Sequence, residues 1–377
     1  MSIFIAIAAA ICGLATLVHV FSVITAATRC RAPANPVPAR PDAPPVSIVR
    51  PVCGLENFIE ETLRSTFTLD YPRYEILFCV ASPSDPVIPV VKALMAEHPH
   101  VEARLLIGND RVSSNPKLNN CVKGWTAARH QLIAIADSNV LMPRDYLQRL
   151  QDAFRPGSGL VCAPPVGSRP DGFWAEVECA FLNTYQARAQ YTADTVGFGF
   201  AQGKTMFWRR EVLEAAGGIK ALGLDVAEDA ASTKIVRAAG LEVRLVDAPF
   251  EQPLGRRRML EVWRRQSRWA RLRRACFPQF FLPEIASGIV LPTVMLAIVA
   301  AGLDVPVVPI LVVFAGAWYA AEALLARAAG WHLSRWYPAQ ALLRDLLIPA
   351  LWVDGLLGSS FEWRGNAMTV EADGRAT

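Results

Sequence analysis

Three places in the chain set chemically able side chains where the sequence pattern changes. The run Gln131-Leu132-Ile133-Ala134-Ile135-Ala136 is almost wholly apolar and ends abruptly in Asp137-Ser138-Asn139. Such a run reads as a strand buried on both faces, and an acid at its carboxyl end lies where helix-covered sheets bind ligands. A carboxylate there suits a divalent cation, Mg2+ or Mn2+, held against a diphosphate, because these hard ions take oxygen ligands and substrate phosphates. The same residue type also serves as a turn residue or helix cap.

Glu228-Asp229 follows a stretch containing Gly217, Gly218 and Gly223 and opens a predicted helix over 230–239. A carboxylate at a helix start is either a cap or, in a ligand site, a general base for an acceptor hydroxyl. Arg265 and Arg268 are three apart, so a helix sets them on one face with Trp269 beside them. Paired guanidinium groups suit a diphosphate, and an indole can floor a sugar or lipid pocket. The alternative is a basic helix lying on anionic headgroups, the role assigned to Arg256 and Arg257. Asp85, in Ser82-Pro83-Ser84-Asp85-Pro86, is placed to bind a base or ribose, or to cap the helix that Pro86 begins. Lys117, in Asn115-Pro116-Lys117-Leu118-Asn119-Asn120, can meet a phosphate, although a solitary lysine is more often on the surface.

The elements that must position these side chains follow from the hydrophobic pattern. Of 377 residues, 53% are hydrophobic, too many for an ordinary soluble enzyme, and the excess sits at the two ends. Residues 3–27 carry no charge and exceed the ~20 needed to cross a bilayer. The chain begins without the basic residues of a signal peptide, and Arg29, Arg31 and Arg40 follow the segment. The positive-inside rule then sets the first residues outside and the next domain on the cytosolic face. Residues 1–28 are thus a membrane helix, and the Pro-rich stretch 29–45 reads as a stiff linker.

From 46 to 255 short apolar runs alternate with amphipathic stretches. Strands are expected at 46–49, 75–80, 101–107, 131–136, 160–163 and 243–246, and helices at 57–66, 86–97, 118–129, 144–154 and 230–239. That alternation predicts an α/β domain with a mainly parallel sheet covered on both faces. Residues 256–284 form a basic interfacial region, with nine arginines and Glu261 as the only acid between 256 and 274. Because this cluster runs straight into an apolar segment, it suits phosphates or a membrane surface and argues against nucleic acid. Residues 285–361 hold membrane candidates: 285–303 and 305–321 as a hairpin around Asp304, and 346–361, interrupted by Pro349 and Asp354, either crossing or re-entrant. Residues 362–377 are a tail. The eight cysteines show no C-x-x-C spacing and read as buried thiols in a reducing compartment.

Taken in order, several short motifs resemble the GT-A glycosyltransferases, and more narrowly the ceramide glucosyltransferase family. They are Val46-Ser47-Ile48-Val49-Arg50-Pro51, Leu69-Asp70-Tyr71-Pro72, Ser84-Asp85-Pro86, Asn115-Pro116-Lys117-Leu118-Asn119-Asn120, Ala136-Asp137-Ser138, Gly197-Phe198, Ala227-Glu228-Asp229 and Arg265-x-x-Arg268-Trp269. The resemblance implies a GT-A nucleotide-sugar domain with membrane helices at both ends. It implies an inverting glycosyltransferase that moves glucose from UDP-glucose to the primary hydroxyl of ceramide. By the same resemblance Asp229 is the catalytic base, Asp137 the metal-side acid for a divalent cation, and Asp85 a nucleotide-binding acid. Arg265, Arg268 and Trp269 then close on donor and acceptor. The metal motif departs from the family's Asp-x-Asp, since Asn139 stands where the second acid would be. A hopanoid or diacylglycerol glycosyltransferase using a UDP-sugar is the alternative within the enzyme class. A scaffold that only binds nucleotide is the alternative outside it.

Overall fold

The computed structural model describes residues 3–31, 35–363 and 366–369, so most of the expected tail lies outside the described residues. The chain opens with α1 (Ile3–Arg29). It then lays down β1 (Val46–Val52), α2 (Ile59–Arg64), β2 (Tyr74–Val80), α3 (Ile88–Glu97), β3 (Glu102–Ile107), α4 (Pro116–Ala127), β4 (Leu132–Ala136) and α5 (Tyr146–Asp152). The four strands are parallel neighbours in the order β3-β2-β1-β4, because each helix carries the chain back across the sheet. Their side chains face helices on both sides, so Ile48, Val49, Leu77, Phe78, Ile133 and Ile135 are all buried. Each contributes about 1.5–3 kcal/mol of hydrophobic stabilisation.

β5 (Ser158–Cys162) and β6 (Val166–Asp171) come next. One continuous helical stretch follows: α6 (Phe173–Ala180), a π-helical segment Phe181–Ala187, and α7 (Arg188–Thr195). After β7 (Thr205–Arg209) come α8 (Arg210–Ala215), α9 (Glu228–Ala238), β8 (Glu242–Leu245) and β9 (Glu251–Arg256). The sheet is completed as β3-β2-β1-β4-β7-β5-β8, and β6 pairs with β9 apart from it. All six expected strands are present. β6, β7 and β9 were not expected, and β7 runs antiparallel to both β4 and β5. That reversal sets Lys204, just before β7, beside Asp137, whose backbone N–H donates to the Lys204 carbonyl at 3.0 Å.

The remainder is α10 (Met259–Cys276), α11 (Pro278–Phe281), α12 (Val290–Gly302), α13 (Val307–Ala328), α14 (Tyr337–Leu357) and a short ribbon of β10 (Ser360–Trp363) with β11 (Asn366–Thr369). α1 and α13 are each long and apolar enough to cross a bilayer. Pro278–Ala286 and α12, bent by 43°, together pass the same test. Asp304 stands between α12 and α13, in the turn of the expected hairpin. The third apolar stretch differs from expectation. It belongs to α14, which begins at Tyr337 and packs on α10, with Gly355 so close to Ala270 that an added Cβ would stand 2.9 Å from the Ala270 Cβ.

A buried polar network fastens these helices to the α/β domain. Arg344 on α14 pairs with Asp345 at 2.7 Å and with Glu322 of α13 at 3.0 Å, all three fully buried. Tyr337 donates to Glu322 at 2.7 Å, and its hydroxyl lies 2.8 Å from the Thr184 hydroxyl in the π-helical segment. Arg188 of α7 pairs with Glu322 at 3.4 Å and meets His19 of α1. At the other end of α1, Arg29 binds Asp194 at 2.5 Å and Asp247 at 2.8 Å, and Ala26 and Cys30 are part of the main core. The linker is no spacer: Val37 donates to Asp145, and Tyr71 donates to the Pro44 carbonyl, so the chain lies along the domain.

Candidate active site

The strands β1, β2 and β4 all end on one edge of the sheet, and the acids that follow them gather there. Asp137 leaves β4 with both oxygens bound to ammonium groups: Oδ1 lies 2.7 Å from Lys117 Nζ and Oδ2 lies 2.8 Å from Lys204 Nζ. Burial works against the Asp137 charge, yet the two lysines outweigh it and hold the carboxyl well below its ordinary range. Burial likewise draws Lys204 below the ordinary lysine value, with Asp137 opposing. For Lys117, Asp137 and Glu228 overcome burial and keep the ammonium firmly charged.

Lys117 stands in the first turn of α4. Asn115 caps that helix, accepting from the Lys117 and Leu118 N–H groups at 3.0 and 3.1 Å. Its amide then donates to Glu228 Oε2 at 2.6 Å, while Glu228 Oε1 lies 2.7 Å from Lys117. Glu228 is thus buried and fully engaged. Its neighbour Asp229 is half-buried and, among the described residues, accepts from the Gly203 N–H at 3.2 Å and the Ala230 N–H at 2.9 Å. Burial first, and then the charge of Glu228, push the Asp229 carboxyl up to about 6. Gly203 permits this crowding, since a Cβ there would lie 2.9 Å from Glu228 and 3.1 Å from Lys117.

Asp85 sits in the loop after β2, where its oxygens accept from the Gly54 N–H at 3.0 and 3.1 Å and from the Val87 N–H at 2.9 Å. It therefore shapes the loop after β1 and caps the approach to α3. Arg265 projects from α10 and donates to Glu178 of α6 at 2.5 Å, and its charge also acts on Lys204. Trp269, one turn further on, packs on Cys179, Leu182 and Leu254, with half-buried Arg268 beside it. Arg257, assigned to headgroups on sequence, instead lies 3.3 Å from the same buried Glu178. One buried carboxylate thus holds both arginines.

Among the described residues no group of three or more His, Cys, Asp or Glu side chains gathers as a metal cage. A divalent ion held mainly by donor phosphates needs only one or two protein oxygens. Asp137 Oδ2 and Asn139 Oδ1 supply two, and both point at the Lys204 ammonium, 2.8 and 3.1 Å away. The donor set fits such an ion.

Residues 11–376 match glycosyl transferase family 21. The chain belongs to that family. It is similar to ceramide glucosyltransferase 1 of Caenorhabditis elegans, with 28% identity over 282 residues, which span 73% of this chain and 60% of that protein. It is also similar to ceramide glucosyltransferase 3 of the same organism, with 27% identity over 334 residues, spanning 86% and 72%. Among solved structures it resembles the mannosyltransferase PcManGT from Pyrobaculum calidifontis in complex with GDP-Man and Mn2+. The TM-score is 0.50 and the identity 19%, covering 90% of this chain and 99% of that one. The family 21 chain therefore has the GT-A glycosyltransferase fold, with candidate membrane helices at both ends.

Sequence reasoning missed Lys204, Gly203, Glu178 and Glu56 in this family 21 site. Glu56 accepts from the Asn139 amide at 3.3 Å, which turns the Asn139 oxygen toward Lys204. A signal did exist for Lys204. It directly precedes Thr205-Met206-Phe207-Trp208, an apolar run short enough to pass unnoticed as a strand.

Proposed function

We propose that the protein transfers glucose from UDP-glucose to the primary hydroxyl of ceramide, with inversion at the anomeric carbon, on the cytosolic face of a membrane. The observation that carries the transfer step is the contrast between two adjacent carboxylates. Glu228 is ion-paired with Lys117 and hydrogen-bonded by Asn115, whereas Asp229 is half-buried, accepts only weak backbone bonds among the described residues and is raised to about 6. A base poised near neutral pH is what abstraction of a hydroxyl proton requires.

Asp229 takes the proton of the acceptor hydroxyl as the oxygen attacks the anomeric carbon. Only one displacement occurs, because the cluster offers one available base and no second nucleophile. Arg265 and Arg268, on one face of α10, stabilise the departing diphosphate, and Trp269 floors the pocket. Lys117 fixes Asp137 and Glu228 against one another, so the acids do not repel. Asp137 and Asn139 would hold a divalent cation, which would supply positive charge for the leaving diphosphate. Asp85 orders the loop that meets the nucleoside. The ceramide acceptor is supported by the similarity to the two nematode enzymes. The glucose donor rests on the same support.

The test is direct. Membranes containing the protein are incubated with UDP-glucose, UDP-galactose or UDP-N-acetylglucosamine and with ceramide, diacylglycerol or a hopanoid, and the products are weighed by mass spectrometry. A hexosylceramide formed from UDP-glucose is expected. Product only on diacylglycerol or the hopanoid would overturn the acceptor.

A further inference from the structure

Lys204 is the one cation of the cluster that the transfer step above does not use. Its Nζ lies 2.8 Å from Asp137 Oδ2 and 3.1 Å from Asn139 Oδ1, between two oxygens suited to a metal ion. The other Asp137 oxygen is taken by Lys117, so an ion can approach this acid only from the Lys204 side. Glu56 holds the Asn139 amide, which keeps its oxygen turned inward. The backbone of Lys204 is fixed by its hydrogen bond from Asp137 and by the start of β7, so only the flexible side chain can move. Arg265 acts on the ammonium as a like charge and favours its transfer to any anion brought into the site.

We propose that Lys204 is a tethered cation that competes with a divalent ion for Asp137 and Asn139, and that a nucleoside diphosphate lifts the competition by drawing the ammonium onto its phosphate oxygens. This rests on the reading of Asp137 as the donor-side acid. Metal and nucleotide then bind cooperatively: each is weak alone and strong with the other. Reciprocity of linked equilibria requires the coupling to be equal in both directions.

The experiment measures Mn2+ binding to the purified full-length protein in detergent, by electron paramagnetic resonance of the unbound ion. It is run with and without UDP and corrected for the Mn2+ that UDP itself takes up. For the wild type, UDP is expected to tighten Mn2+ binding by about tenfold or more, within the usual range of coupling between two sites. Lys204→Met is expected to bind Mn2+ about tenfold tighter than wild type without UDP, and the further tightening by UDP shrinks by the same factor, what remains being the ion's own bonds to the phosphates. Lys204→Gln serves if the methionine variant does not fold. Lys204→Arg keeps the charge and should behave as wild type. Equal Mn2+ affinity of wild type and Lys204→Met without UDP overturns the proposal, as does Mn2+ binding to neither protein under either condition. Transfer of sugar in excess chelator would still stand in that second case, so the two readings fail separately.

Discussion

Asp229 and Glu228 are neighbours of the same chemical type, and only their surroundings separate them. Asp229→Asn is expected to lower transfer by about 10²–10⁴-fold. Its melting temperature should be equal to wild type or higher. The sign follows from the raised pKa. An unfolded aspartate ionises near 3.9, whereas Asp229 in the fold holds its proton to about 6. Ionising it therefore costs stability, a cost that grows between those pH values and persists above them, and asparagine removes it. Turnover of the wild type should fall as pH drops below about 6, because the base is then protonated. Glu228→Gln should instead lower the melting temperature, since it leaves Lys117 with one carboxylate fewer. A calorimetric scan and a pH–rate profile on the same preparations check all of this. The acids themselves were visible in the sequence because each ends or opens a clear element. Their partners were not: Lys204 and Glu178 reach the site through pairings between segments far apart in the chain, which local pattern does not encode.

At the scale of elements, the parallel half of the sheet was legible because strands buried on both faces write continuous apolar runs. β7 was not, since a short apolar run says nothing of the direction in which it will pair. The π-helical segment Phe181–Ala187 escaped notice for a related reason, as its apolar pattern reads as ordinary helix. The apolar stretch at 346–361 proved to be part of a longer helix, because Arg344 and Asp345, charged and just outside that window, are buried by pairing with Glu322. Removing Glu322 takes away the carboxylate shared by Arg344, Arg188 and Tyr337 and leaves buried positive charge incompletely paired. Glu322→Ala is expected to cost about 3–5 kcal/mol of stability. Denaturant titration of the detergent-solubilised protein measures it, and a loss below 1 kcal/mol would show that the network does not hold α13 to α14.

For the molecule as a whole, Cys53 offers a report on orientation. It is the exposed cysteine at the end of β1, whereas the other seven are buried, which departs from the expectation that all would be buried. In intact cells a membrane-impermeant maleimide is expected to leave Cys53 unlabelled, and permeabilisation should expose it within the same reaction time. Labelling in intact cells would place the domain on the outer side. The clamp of Arg29 onto Asp194 and Asp247 bears on something different, the choice of acceptor. A domain whose membrane helix ends inside its own core cannot bob on a tether. If α1 lies in the bilayer and Asp229 is the base, as proposed, that base would be held at one height above the lipid, and the molecule would act as a gauge, turning over lipids whose hydroxyl rides at that height and passing over the rest. Ceramide analogues with the hydroxyl on a lengthened spacer should lose kcat progressively, while a soluble short-chain analogue, free to rise to the base, should not.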